Sequence, residues 1–272
     1  MKLLMSLAIA IGLAAPLLAQ TPTPGSSEAK ARARDELDEA AWSYRDGKFA
    51  EAQAHSEKAL LLDPENKTAP FFVARTIHAQ YKPGYFTPEN VAKAREAIAA
   101  YRRIMERVPN NDEAYKAIAY LYGAIKDEEL LREWLLQRAL DVSVANDQRA
   151  ETFTALASKD WDCSFKITEL PAIKTTITRG NRSYVRYQMP KERVQFERAS
   201  ECANHGLEMA NMAVVLAPEN VSAWSYKTNI LLELSKLAEM SGQIRQQREF
   251  RRQYEDALAE TTRLSKPSQP NP

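Results

Sequence analysis

Pro64-Glu65-Asn66-Lys67-Thr68-Ala69, Pro109-Asn110-Asn111-Asp112-Glu113-Ala114 and Pro218-Glu219-Asn220-Val221-Ser222-Ala223 are three versions of one phrase, Pro-(Glu/Asn)-Asn-x-x-Ala. Each follows one apolar, helix-like run and precedes another. Proline stands where a helix cannot continue, and asparagine where the next helix needs a side-chain oxygen to cap its first amides. The chain around each phrase is therefore expected to run helix, turn, helix. The phrases lie 45 and 109 residues apart, spacings that a helical unit of about 34 residues explains with extra segments of about 11 and about 41 residues.

The two ends differ in character from this interior. Residues 1–19 combine Lys2, a largely apolar run from Leu3 to Ala15, a break at Pro16 and the small residue Ala19, with no acid among them. This reads as a cleaved secretory signal, whereas a membrane anchor needs about 20 apolar residues. No cysteine lies near Ala19, which disfavours a lipid anchor. The mature chain is thus expected to be exported, periplasmic or secreted, and without a stable membrane anchor. Residues 20–32 are expected to be a disordered linker and residues 266–272 a disordered tail, because both are rich in proline and small polar residues.

Of 37 basic and 36 acidic residues, the signal holds only Lys2, so the remainder balances at 36 of each. A nucleic-acid partner would call for a basic excess, and none is expected here. Glycine is scarce, at 8 residues, which argues against glycine-rich phosphate loops and for long helices.

The first unit is the most complete. Ala40, Gly47, Phe49, Ala52, Ala59, Leu60 and Pro64 supply small residues where two helices must approach, a glycine at the turn, an aromatic beside it and a proline at the end. These seven positions resemble the tetratricopeptide repeat. By count from each proline, the small position of the first helix falls at Ala74, Ala119 and Thr228, and the large one at Pro70, Tyr115 and Trp224; Thr228 and Pro70 depart from the pattern. The resemblance implies an all-α fold, a tetratricopeptide-like α-solenoid of about five helix pairs with one non-helical insertion. Residues 33–158 would hold three units and the first helix of a fourth, 159–190 the irregular insertion, and 191–265 the remaining helices. The segment Gln80–Asn90 replaces the tight turn of the second unit, and the turn of the third, Lys126-Asp127-Glu128-Glu129, lacks glycine.

In this family the first helices line a concave groove that holds a peptide or protein segment. Carried over by count, the groove positions are Tyr44, Arg45, Phe71, Arg75, His78, Lys116, Tyr120, Ser225 and Asn229. The function implied is a non-catalytic scaffold of the cell envelope or secreted space with a protein or peptide partner.

The insertion offers an alternative. Lys174–Thr178 and Ser183–Tyr187 read as a short hairpin around Arg179-Gly180-Asn181. Arg179, Arg182, Tyr184, Arg186 and Tyr187 would form a basic, aromatic strip suited to an acidic peptide or an anionic glycan or envelope polymer. The two cysteines, Cys163 and Cys202, flank it. In an exported chain they are expected to be paired, the alternative being two buried, inert thiols.

Chemistry of other kinds finds little support. His55, His78 and His205 share no ligand spacing, and no Cys-x-x-Cys occurs, so neither metal nor cofactor is expected. No nucleophile elbow, phosphate loop or dinucleotide motif is present, and no enzyme activity is expected. The cluster Arg245, Arg248, Arg251 and Arg252 reads as a solvated helix face.

Overall fold

The computed structural model describes residues 22–266; the expected signal and most of the C-terminal tail lie outside them. The described residues form ten α-helices and one β-hairpin. The helices are α1 (Ser27–Arg45), α2 (Phe49–Leu62), α3 (Ala69–Gln80), α4 (Pro88–Arg107), α5 (Asp112–Ala124), α6 (Glu128–Leu140), α7 (Asn146–Thr168), α8 (Arg193–Leu216), α9 (Val221–Met240) and α10 (Ile244–Leu264). The hairpin, β1 (Lys174–Arg179) and β2 (Arg182–Tyr187), lies between α7 and α8. Two compact units divide between Ala114 and Tyr115, within α5.

The three repeated phrases build one local structure. The Asn66, Asn111 and Asn220 amides donate to the carbonyls of Asp63, Val108 and Ala217, closing a turn around each proline at 3.0, 3.1 and 3.0 Å. The same asparagines then accept with Oδ1 from the Ala69, Ala114 and Ala223 amides at 2.9, 2.8 and 3.0 Å. Proline fixes the backbone for the turn and asparagine satisfies an amide that the starting helix leaves without a partner.

The helices within a pair are joined by a second recurrent turn. Gly47, Lys126 and Gly242 all adopt positive φ, at 75°, 58° and 71°. Around them the same hydrogen bonds recur: Lys48 to the Ser43 carbonyl, Asp127 to Tyr122 and Gln243 to Ala238, at 2.8, 3.0 and 2.9 Å. Lys126 thus occupies the left-handed position that glycine fills in the other two turns. The α3–α4 connection lacks this device. There Asn90 accepts from the Lys82 amide and donates to the Lys82 and Tyr85 carbonyls, holding the longer loop together.

In the first unit α1 packs on α2, α2 on α3 and α3 on α4, and α1 also touches α3. The core is small-residue rich, with Ala33, Ala40, Ala52, Ala59, Ala69 and Ala74 fully buried. In the second unit α7 packs on both α8 and α9, and α9 on α10. Helix α8 presents Ala199, Ala203, Gly206, Ala210 and Ala213 at helical spacing, all buried. Small residues there allow the close approach that the repeat requires.

Two boundaries differ from the sequence reading. Helix α1 starts at Ser27, inside the stretch read as a linker, because Ser26 accepts from the Ala29 amide and Ala29 and Ala33 bury against the core. Helix α7 runs to Thr168, ten residues into the expected insertion. Its inner face reads Ala157, Asp160, Ser164, Thr168, so polar side chains buried at helical spacing hid the continuation. The irregular segment begins at Glu169, with a short 3₁₀ turn at Pro171–Ile173 before the hairpin.

Cys163 on α7 and Cys202 on α8 form a disulfide across Cα atoms 6.0 Å apart, closing a loop 39 residues long that contains the hairpin.

Replacing Asn220 with alanine should cost about 1 kcal/mol through the lost cap, while Lys126→Gly should add about 1 kcal/mol by removing left-handed strain. Denaturant unfolding of the two variants checks both signs. Reduction, or a Cys163→Ala and Cys202→Ala double variant, should lower the unfolding free energy by up to about 4 kcal/mol, read as an earlier denaturant midpoint for the second unit.

Candidate functional site

On the first unit, α1 and α3 enclose a recess of about 250 Å³ lined by Ala41, Tyr44, Arg45, Phe72 and Arg75. The Tyr44 ring is half-buried and packs on Phe49 with centroids 5.2 Å apart. The Arg75 guanidinium lies 5.9 Å from the Tyr44 ring and that of Arg45 stacks 4.0 Å from Trp42. Both arginines are exposed residues. An aromatic floor bordered by two guanidinium groups can take a flat or apolar group together with a carboxylate.

Deeper on the same helix, His78 lies edge-on to Tyr101 of α4, with ring centroids 5.9 Å apart and Nδ1 3.4 Å from the tyrosine hydroxyl. Burial pushes the His78 pKa down. Burial, helped by the charge of Glu113, pushes the Tyr101 hydroxyl up to about 12. Tyr101 is 3 % exposed, so the pair lies where α3 packs on α4.

Three of the five groove positions expected in this unit, Tyr44, Arg45 and Arg75, line this recess, and His78 faces Tyr101 of α4. Phe71 does not line the recess; its neighbour Phe72 does, one residue along α3. The positions expected in the second unit are more scattered. Lys116 on α5 pairs with Glu151 of α7 at 3.2 Å, and Tyr120 is 51 % exposed. Ser225 and Asn229, one turn apart on α9, are half-buried. The second unit also has a recess of about 340 Å³ between α8, α9 and α10, lined by Phe196, Leu234, Leu237 and Phe250 among others.

The hairpin is positioned by a buried charge network that the sequence reading missed. Glu233 and Lys236, on α9, are 1 % and 6 % exposed and pair at 2.6 Å. Lys236 also reaches Glu169 at 2.8 Å, and Glu169 reaches Lys174 of β1 at 2.7 Å. Thr168 donates to Glu233, and the Tyr187 amide of β2 donates to Glu239 at 3.4 Å. The Lys236 ammonium lies over the Phe165 and Tyr187 rings, at 5.3 and 5.1 Å. Burial raises the Glu169 carboxyl, but hydrogen bonds from Lys174 and Lys236 outweigh it and hold the group below its ordinary value. Burial lowers Lys236, but hydrogen bonds to Glu169 and Glu233 outweigh it and raise the group. The available signal was a Glu and a Lys three residues apart in the run Ile230–Ala238, otherwise apolar except for Ser235.

Of the five strip residues, Tyr187 belongs to this network, while Arg179, Arg182, Tyr184 and Arg186 are exposed. Among the described residues no cluster of three or more His, Cys, Asp or Glu side chains could hold a metal, and no helix is long and apolar enough to cross a membrane.

Neither a protein-family model nor a curated protein matches the chain. Among solved structures, the crystal structure of MamA protein is similar at a TM-score of 0.39 and 11 % identity, covering 88 % of this chain and 98 % of that one. The repeated turns define the fold: the described residues form an all-α arrangement of tetratricopeptide-like helix pairs with one non-helical insertion.

Acid and alkali should both loosen the hairpin. A carboxyl held below its ordinary 4.5 contributes stability that is complete above that pH and is lost as pH falls through its lower native value. An ammonium held above its ordinary 10.5 contributes stability that is complete below that pH and is lost as pH rises through its higher native value. The melting temperature should therefore drop on acidification below 4.5, and Glu169→Gln should flatten that limb of a melting profile recorded from neutral pH downward.

Proposed function

We propose that this protein is a non-catalytic binding scaffold whose first unit takes an extended peptide or protein segment on the α1–α3 surface. The observation that carries the reading is the recess floored by Tyr44 and Phe72 and bordered by Arg45 and Arg75. The partner segment places an aromatic or aliphatic side chain on the floor and an acidic group against the guanidinium pair, gaining charge-assisted hydrogen bonds. Helix pairs are ordered before binding, so little of the gain is lost in ordering the receptor. Lys116, Tyr120, Ser225 and Asn229 are the proposed further contacts for partner segments on the second unit.

The scaffold is proposed to act outside the cytoplasm. The disulfide supports this, since such bonds persist in oxidising compartments, and so does the signal-like composition of residues 1–19.

Selection of a random peptide library on the immobilised protein should enrich sequences that pair an acidic residue with a large apolar one. For an enriched peptide, Tyr44→Ala with Arg75→Ala should raise Kd at least tenfold while leaving the melting temperature of the first unit within a few degrees. Enrichment without the acidic signature, or binding indifferent to the double variant, would overturn the groove reading. Amino-terminal sequencing of the protein recovered from an envelope fraction, starting at residue 20, tests the export reading.

A further inference from the structure

The two faces of the hairpin have different chemistry. The antiparallel register sets Lys174 opposite Tyr187, Thr176 opposite Val185 and Thr178 opposite Ser183 on one face. On the other it sets Thr175 opposite Arg186, Ile177 opposite Tyr184 and Arg179 opposite Arg182. Tyr187 and Lys174 of the first face reach the buried charge network. The second face carries three exposed arginines and no acid.

Nothing in the described protein neutralises those arginines. Arg179, Arg182 and Arg186 make no ion pair or hydrogen bond through their side chains among the described residues, whereas Arg193, just beyond, pairs with Glu197 at 2.8 Å. Arg179 and Arg182 also stand directly opposite one another beside the turn. Like charges in that position destabilise a hairpin, and an anion shared between two guanidinium groups reverses the sign of that contribution. Between Arg182 and Arg186 on the same strand face lies Tyr184, 50 % exposed, with Ile177 opposite it. Alternate residues of a strand are about 6.7 Å apart, so Arg182, Tyr184 and Arg186 form a line about 13 Å long of charge, flat ring and charge.

We propose that this face is a binding site for an acidic polysaccharide, separate from the α1–α3 recess. A sugar ring lays its C–H face on Tyr184 while its carboxylate or sulfate groups meet Arg182 and Arg186, and a neighbouring anionic group lies between Arg179 and Arg182. Alternation of ring and charge along a line favours an acidic glycan, whose every residue is a ring and whose anions recur with the sugar repeat, over a polyacidic peptide such as polyglutamate, which has charge but no rings. Duplex nucleic acid is disfavoured by the even overall charge of the chain. The network under Tyr187 holds the strand in place, so the arginines are presented from a fixed backbone instead of a mobile loop.

The test uses the mature protein and five immobilised polymers: polygalacturonate as the carboxylated glycan, heparin as the sulfated one, neutral dextran, polyglutamate and duplex DNA. At physiological salt, at least one acidic glycan should bind at least tenfold more tightly than polyglutamate or DNA, and dextran should not bind. The preference between polygalacturonate and heparin reports whether the anion is a carboxylate or a sulfate. Arg182→Ala with Arg186→Ala should weaken glycan binding at least tenfold. Tyr184→Ala should weaken it about fivefold and leave the residual binding of polyglutamate unchanged. All of these side chains are exposed, so unchanged melting temperatures confirm that the variants fold; Tyr44→Ala with Arg75→Ala should leave glycan binding intact. Absence of glycan binding, equal binding of glycan, polyglutamate and DNA, or indifference to Tyr184→Ala would each overturn the proposal.

Discussion

The side-chain oxygen of one asparagine, placed two residues after a proline, is the interaction on which the rest of this structure depends. A helix leaves its first amides without partners, and each of the ten helices among the described residues meets that problem at its start. At Asn66, Asn111 and Asn220 the turn that reverses the chain and the cap that begins the next helix are the same residue. At Asn66 and Asn220 the direction of α3 and of α9 is thereby tied to that of α2 and of α8. Alanine at the positions that follow, Ala69, Ala114 and Ala223, is fully buried, and at Ala69 and Ala223 it lets α3 and α9 settle against α2 and α8.

The second unit adds a different kind of order. Burying Glu233 and Lys236 removes two charges from water, at a cost their mutual attraction offsets only with good geometry and further hydrogen bonds. Here those come from Thr168, Glu169 and the ring faces of Phe165 and Tyr187. A two-stranded hairpin alone is marginal in water. This one is held by a charge network on one side and by Ile173, 2 % exposed, at its base. Apolar packing would accept a sliding hairpin more readily than paired charges do, so the network gives the inserted strands one register against α9.

The fold was legible in the sequence wherever one residue type has one physical use. Proline and asparagine marked the helix starts, Gly47 and Gly242 marked two turns, and the small residues Ala40, Ala52 and Ala59 marked the inner faces. Lys126 was opaque because nothing in its side chain announces a left-handed backbone. The end of α7 was opaque for the opposite reason: Asp160 and Ser164 look like surface residues, yet Asp160 is buried against Arg132, which donates to it at 2.7 and 3.2 Å. Of the positions counted from the prolines, Tyr44, Arg45 and Arg75 line the α1–α3 recess, while Phe72 lines it in place of Phe71, since a count cannot fix helix rotation to within a residue. The hairpin strands were visible from their β-branched residues, while the charge network was not, since it joins α7, α9 and both strands across more than sixty residues of chain.

The disulfide between α7 and α8 gives the inserted segment a topological property. The connection from Cys163 to Cys202 by way of the hairpin is one of two covalent routes between those helices, and the sulfur bridge is the other. A protease that cuts after Arg179 or Arg182, both exposed at the hairpin tip, opens a ring and does not divide the molecule. The nicked protein keeps its helices joined, and its two fragments part only under a reductant, so the tip is a point where the chain tolerates cleavage, insertion or new termini.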